Sequence, residues 1–128
     1  MTDTMIDTAG TILVVDDDPF TSELTGMFLE MAGYETVLAE GALDALEKME
    51  GNPAIIAVVS DLNMPFVDGI ELFAELRKQG FPQPFLLITG EDAAPLRLAH
   101  PAIDAIMTKD GNLQETLPVL LAAIISGK

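Results

Sequence analysis

The chain has 128 residues, enough for one domain with a hydrophobic core and too few for two domains of ordinary size. Its 21 Asp and Glu residues against six Lys and Arg residues give a formal net charge of −15, which disfavours nucleic acid and anionic membranes as partners. A content of 49% apolar residues argues against disorder, and the absence of cysteine excludes disulfides and thiolate metal sites. With neither an apolar run of the ~18 residues that a membrane span needs nor a basic signal-peptide start, we expect a cytoplasmic protein.

The first predicted strand and helix follow a polar N-terminus. Residues 1–10 lack any pattern and predict a flexible tail. The apolar run 11–15 predicts a buried parallel strand that ends at three consecutive aspartates. Asp18 followed by Pro19 is typical of a helix start. Four apolar residues then recur at helical spacing and predict the core-facing side of this helix: Leu24, Met27, Phe28 and Met31.

The unit of a strand followed by a helix repeats along the rest of the chain. Further strands are predicted over 34–39, 55–60, 84–89 and 105–108. Further helices are predicted over 42–49, 70–79, 92–99 and the last stretch to residue 125. Asn112 and Glu115 resemble a capping box, but a helix that began there would hold Pro118 in its interior, so the last helix is predicted to begin near Thr116.

Five strands alternating with five helices predict one parallel sheet with helices on both faces. In such sheets, functional residues gather beyond the carboxyl ends of the strands. The polar residues at those ends are Asp16, Asp17, Asp18, Asp61, Thr89 and Lys109. Converging carboxylates repel one another unless a cation lies between them, and a set of oxygen ligands suits Mg²⁺. A carboxylate beside Mg²⁺, facing a hydroxyl and a lysine, is the set that phosphoryl transfer to aspartate needs.

Four segments resemble the response-regulator receiver domains of two-component signalling: ILVVDDDP (12–19), SDLNMPFVDG (60–69), LLITG (86–90) and AIMTKD (105–110). The resemblance covers residues 11–125 and implies a flavodoxin-like α/β fold with strand order 2-1-3-4-5. It predicts a receiver domain over 11–126. It also implies a stand-alone phospho-acceptor, catalysing only its own phosphorylation and dephosphorylation, that takes phosphate from a histidine kinase or phosphotransfer protein.

The resemblance assigns a role to each residue of the predicted site. Asp61 matches the phospho-acceptor, Thr89 the switch hydroxyl and Lys109 the lysine that pairs with the phosphoryl group. The implied Mg²⁺ ligands are Asp16, Asp17, Asp61 and the backbone carbonyl of Asn63. Asp17 and Asp18 are an alternative acidic pair, although a role as helix cap is sufficient to explain Asp18.

Two further positions match residues that modulate the lifetime of the phosphate. Asn63 and Glu91 lie two residues beyond the acceptor and two beyond the switch hydroxyl. In the family these positions flank the water that attacks the acyl phosphate. The pair resembles that of single-domain chemotaxis receivers, and it predicts a short-lived phosphate.

Three features depart from the family pattern. Asp110 follows Lys109 where receivers usually have proline after a cis bond, so we expect a trans or strained bond there and competition between Asp110 and Asp61 for the lysine. Ile106 stands where receivers commonly carry Tyr or Phe, so the usual coupling of threonine to an aromatic ring cannot operate. The last helix is apolar nearly all round, which predicts a homodimer contact or a downstream protein on its outer face.

Two other functions compete with the phospho-acceptor. A non-switching pseudo-receiver that only binds proteins fits Asp110, Ile106 and the apolar last helix. A haloacid-dehalogenase-type phosphatase would use the Asp-x-Asp pair of Asp16 and Asp18, but the Gly-Thr expected after it is replaced by Pro-Phe.

Overall fold

Strands and helices alternate along the part of the chain, residues 9–127, that the computed structural model describes. The strands are β1 (Thr11–Val15), β2 (Glu35–Ala39), β3 (Ile55–Asp61), β4 (Phe85–Thr89) and β5 (Ala105–Thr108). The helices are α1 (Pro19–Met31), α2 (Ala42–Gly51), α3 (Gly69–Lys78), α4 (Ala93–Ala99) and α5 (Leu113–Ile125). All strand pairs are parallel, in the order β2-β1-β3-β4-β5, which confirms the predicted flavodoxin-like fold.

The sheet separates two apolar layers. Leu13 and Val15 of β1 belong to the layer covered by α2, α3 and α4, whereas Ile12 and Val14 belong to the layer covered by α1 and α5. Because successive side chains of a strand point to opposite faces, a strand buried on both faces must be apolar throughout, as β1 is.

The N-terminal edge of the described region extends the contact between β1 and β2. The Ala9 amide donates a hydrogen bond to the Gly33 carbonyl at 2.8 Å, and the Glu35 amide donates to the Gly10 carbonyl at 2.9 Å. The rest of the predicted tail, residues 1–8, lies outside the described residues. Over 9–127, no helix combines the length and the hydropathy that crossing a membrane would take.

The buried face of α1 differs from the predicted one. The helix buries Ser22, Thr25, Gly26 and Leu29, whereas Met27 and Met31 are 51% and 68% exposed. The segment is helical as predicted, but the side of the helix that faces the core is not the predicted one. The helix lies so close to β2 that a Cβ on Gly26 would stand 3.4 Å from the side chains of Thr36 and Leu38. Small residues therefore face the sheet around Gly26, and Met27 and Met31 point to solvent.

Helix α5 begins at Leu113, so the predicted start near Thr116 is wrong. Leu113, Leu117 and Leu121 form one buried stripe, and burial of Leu113 stabilises the first turn. Pro118 lies inside the helix and leaves one carbonyl in the preceding turn without its usual partner. The Asn112 side chain forms no cap hydrogen bond, so the capping box is not formed.

Candidate functional site

Three carboxylates meet where β1 and β3 end. These strands are neighbours, and Val15 pairs with Ser60, so the residues that follow, Asp16 and Asp61, stand side by side. One oxygen of each carboxylate of Asp16, Asp17 and Asp61 lies within 4.8 Å of the other two. Asp16 is buried and the Asp61 side chain is 14% exposed, whereas Asp17 is open to solvent.

Burial raises the pKa of Asp16 and that of Asp61 above the ordinary value of 3.8. A hydrogen bond from the Asp18 amide to the Asp16 carboxylate opposes this effect, and the charge of Asp61 adds to it. At Asp61, the Lys109 ammonium opposes the rise and the charge of Asp17 adds to it. A cluster of repelling carboxylates without nitrogen or sulfur donors fits a hard cation with oxygen ligands, and Mg²⁺ is such an ion.

Asp18 lies outside this cluster. Its carboxylate accepts hydrogen bonds from the Phe20 amide at 3.1 Å and the Thr21 hydroxyl at 2.9 Å, which makes it the N-cap of α1. Asp18 is therefore occupied as a helix cap. The geometry does not support the two alternatives that assign Asp18 to the site, in which it is paired with Asp17 or, in the phosphatase interpretation, with Asp16.

Lys109 reaches the acceptor position from the end of β5. Its Nζ lies 3.5 Å from Asp61 Oδ1, and its backbone amide donates to the Thr89 carbonyl at 2.6 Å. The peptide bond to Asp110 is trans, one of the two expected states. The Asp110 carboxylate accepts a hydrogen bond from the Asn112 amide at 2.9 Å. Among the described residues 9–127, Lys109 forms an ion pair with Asp61 and not with Asp110. The expected competition from Asp110 is therefore not seen.

The remaining predicted residues lie at the end of β4 and on the loops after β3 and β4. Thr89 is fully buried at the end of β4, and its hydroxyl accepts a hydrogen bond from the Glu91 amide at 3.0 Å. Asn63 lies two residues beyond Asp61 in the β3–α3 loop, and the side chains of Asn63 and Glu91 are both exposed. Asp16, Asp17, Asp61 and Lys109 are thus brought together directly, while Thr89, Asn63 and Glu91 lie on the neighbouring strand end and loops.

Gly69, the first residue of α3, packs closely against the backbone of Asp61. A Cβ at this position would stand 2.5 Å from the Asp61 carbonyl oxygen, 2.5 Å from Leu87 Cδ1 and 3.2 Å from Leu62 Cα. The close approach arises because α3 begins against the ends of β3 and β4, where only a residue without a Cβ fits.

Phe66 occupies an unfavourable backbone conformation in the loop after Asp61. Its φ is 71°, and the Val67 amide donates to the Pro65 carbonyl at 2.8 Å, which closes a γ-turn around it. A γ-turn with positive φ at its centre is strained for a residue that has a Cβ. The Phe66 ring is fully exposed, so burial does not offset the strain.

The Phe66→Gly variant is therefore expected to be more stable than the wild-type protein by about 1 kcal/mol. The substitution relieves roughly 1–3 kcal/mol of backbone strain and adds some of the flexibility of glycine to the unfolded chain. Urea denaturation measures the difference. Phe66→Ala, which retains a Cβ at positive φ, is the matched control and is expected to show no gain. A Phe66→Gly protein no more stable than Phe66→Ala contradicts the strained turn.

The comparison with known families agrees with this geometry. A family model described as the response regulator receiver domain matches residues 12–119. The chain belongs to the response regulator receiver domain family. Receiver domains are generally signalling modules rather than enzymes.

This receiver domain is similar to longer regulatory proteins and to solved receiver structures. It is 35% identical over 115 residues to the response regulator MprA of a Mycobacterium species, covering 88% of this chain and 50% of that protein. It therefore spans about half the length of the curated relatives that it matches. The crystal structure of TrrA from Thermotoga maritima, in complex with Mg(2+)-BeF, is 32% identical, covers 88% of this chain and 99% of that one, and has a TM-score of 0.75.

A third comparison concerns the fold alone. A receiver domain protein from Clostridium thermocellum is 21% identical and superposes with a TM-score of 0.82, over 91% of this chain and 94% of that chain. The receiver fold, with its five parallel strands, is therefore shared beyond the range of clear sequence identity.

The α5 face of this receiver domain leaves apolar residues in solvent. Leu117 and Leu121 are buried against the sheet, whereas Val119 is 72% exposed and Ala122 and Ala123 are exposed as well. Only one side of α5 is covered within the described chain, as the apolar pattern predicts. A homodimer or downstream-protein contact on this side stays a prediction.

Proposed function

We propose that this receiver domain accepts a phosphoryl group on Asp61 from a histidine kinase or phosphotransfer protein and thereby switches a protein–protein interaction. The observation that carries the proposal is the approach of Lys109 Nζ to within 3.5 Å of Asp61 Oδ1, beside the Asp16 and Asp17 carboxylates. This combination supports the proposal because a nucleophile, a cation site and a positive charge would then lie at one point.

In the proposed reaction, an oxygen of Asp61 bonds to phosphorus as the bond from phosphorus to a histidine nitrogen breaks. The electron pair of the broken bond stays on the histidine ring. Lys109 would pair with one phosphoryl oxygen and the Thr89 hydroxyl with another, because both lie at strand ends next to Asp61. Phosphorylation would add negative charge at Asp61, which strengthens the pull on both groups.

Asp16, Asp17, Asp61 and the Asn63 carbonyl would hold Mg²⁺. When bound, the ion would offset the negative charge of the phosphoryl oxygens. The three carboxylates supply oxygen donors only, which is the ligand type that Mg²⁺ prefers, and the TrrA relative was solved with Mg(2+)-BeF. Asn63 and Glu91 would flank the hydrolytic water and keep the phosphate short-lived.

We also propose that the folded receiver unit spans 11–126, wider than the matched range of 12–119. Helix α5 continues to Ile125, and its buried stripe, which includes Leu121, completes one of the two apolar layers. The cytoplasmic location and the absence of nucleic-acid and membrane partners stay predictions from the sequence.

The proposal is tested by incubating the full chain with acetyl phosphate and Mg²⁺ and following the mass of the intact protein. We expect Mg²⁺-dependent addition of one phosphoryl group, which is lost within minutes after the donor is removed. Asp61→Asn is expected to take up none. Asp68→Asn is the matched control, because Asp68 caps α3 and asparagine caps a helix equally well.

Two outcomes would contradict the proposal. Equal labelling of Asp61→Asn and the wild type would place the acceptor elsewhere. If the wild type showed no Mg²⁺-dependent labelling, the pseudo-receiver would be favoured. The exposed apolar side of α5 would then be its binding surface. A phosphate that persists for hours would overturn only the short lifetime.

A further inference from the structure

The Glu91 backbone is held between two threonine side chains. On one side, the Thr89 hydroxyl accepts a hydrogen bond from the Glu91 amide at 3.0 Å. On the other side, the Thr108 hydroxyl donates to the Glu91 carbonyl at 3.2 Å. Both backbone polar groups of this loop residue are therefore fixed by the ends of two neighbouring strands, β4 and β5.

The same Thr108 hydroxyl also fixes the start of α4. It accepts a hydrogen bond from the amide of Ala93, which is the first residue of α4 and is buried. A second tether lies further along, where Arg97 Nε donates to the Ile106 carbonyl at 3.0 Å. The β4–α4 loop and α4 are thus attached to β5 at two points, and neither attachment uses an aromatic side chain.

The Glu91 side chain depends on this arrangement for its position. It is exposed, and over residues 9–127 its carboxylate forms no hydrogen bond or ion pair. Where a side chain has no contacts of its own, the backbone from which it projects decides where it stands. Thr108, the last residue of β5 and the neighbour of Lys109, is therefore in a position to control where Glu91 stands.

We propose that Thr108 is a positioning residue that sets the hydrolysis rate of the aspartyl phosphate by fixing Glu91 beside it. The inference rests on the proposed function, since it requires phosphorylation of Asp61. Loss of the Thr108 hydroxyl frees the Glu91 carbonyl and lets the loop move. The Glu91 carboxylate then spends less time next to the hydrolytic water, and hydrolysis slows.

The decisive variant is Thr108→Val, which retains the β-branched shape of threonine and removes the hydroxyl. We expect phosphate loss to slow by about three- to tenfold, the factor that corresponds to one neutral hydrogen bond. Thr108→Ser, which retains the hydroxyl, is the matched control and is expected to hydrolyse within about twofold of the wild-type rate. The proteins are phosphorylated with acetyl phosphate and Mg²⁺, the donor is removed, and the phosphorylated fraction is followed by mass.

A double-mutant cycle shows whether Thr108 acts through Glu91. In a Glu91→Ala background, Thr108→Val is expected to cause no further slowing, because the group that it positions is absent. Equal slowing in both backgrounds would overturn the inference, as would a wild-type rate for Thr108→Val. If Thr108→Val folds poorly, Thr108→Ala makes the same test with a smaller side chain. A wild-type chain that takes up no phosphate would refute the proposed function, and this inference with it.

Discussion

The Asp61→Asn protein is expected to unfold at a higher temperature than the wild-type protein when no divalent cation is present. Burial raises the pKa of Asp61, so its charge disfavours the folded state at neutral pH, despite the nearby Lys109 ammonium. The neutral amide removes this effect. We expect a gain on the order of 1 kcal/mol, a common size for a single stabilising substitution, or roughly 4 °C in Tm for a domain of this size.

This gain has a defined pH dependence. The raised pKa means that the protonated Asp61 carboxyl stabilises the folded state fully below pH 3.8, its ordinary value. That contribution is lost as the pH rises through the folded-state pKa. The advantage of Asp61→Asn should therefore grow as the pH is raised from 3.8 and level off above the folded-state pKa.

Thermal unfolding in a chelator over a pH series measures the difference between the two proteins. Asp68→Asn is again the control and is expected to show no gain. Added Mg²⁺ should stabilise the wild type by up to about 2.7 kcal/mol at a hundred times its dissociation constant, and should stabilise Asp61→Asn far less. A lower Tm for metal-free Asp61→Asn, or an advantage that shrinks with rising pH, would contradict the prediction.

The Gly69→Ala variant is expected to lose about 2 kcal/mol of stability and most of its phosphorylation by acetyl phosphate. Its Cβ would overlap the Asp61 carbonyl oxygen and Leu87 Cδ1, each at 2.5 Å. The carbonyl is also bonded by the Ser60 hydroxyl at 2.9 Å, so it cannot shift without disturbing the end of β3. We expect relief of this overlap to displace the Asp61 backbone and to disturb the approach of its carboxylate to Lys109.

Gly51→Ala is the matched control, because a Cβ there meets no atom within 4 Å. Alanine at this helical position is expected to leave stability unchanged or to raise it by up to about 1 kcal/mol. Urea denaturation and the phosphorylation assay compare the two variants. If Gly69→Ala matched Gly51→Ala in both assays, the tight contact behind Asp61 would be ruled out.

The strand ends were the most predictable part of this receiver domain. Each strand is a short apolar run that stops at a polar residue, and parallel strands bring those residues to one edge. The sequence therefore predicted that Asp16, Asp61, Thr89 and Lys109 would lie close together. The strand order came from the family resemblance, since alternation alone allows other orders.

Features that depend on the approach of two elements were not predictable in the same way. The phase of the α1 pattern depends on how closely α1 packs on β2 at Gly26, and periodicity alone cannot show this. The start of α5 depends on burial of Leu113. This burial outweighs the tendency of Pro118 to lie in the first turn of a helix rather than in its interior. Thr108 gave no signal, because a hydroxyl at a strand end is common and its two partners lie 15 and 17 residues away.

The unexpected orientation of α1 has a consequence for oxidative damage. Met27 and Met31 stand in solvent, whereas Met49 and Met107 are buried in the two apolar layers. Peroxide converts accessible methionines to polar sulfoxides, and a sulfoxide in solvent disturbs no packing. Helix α1 therefore presents two thioethers that can be oxidised and reduced again while the sheet and its carboxylate cluster remain intact.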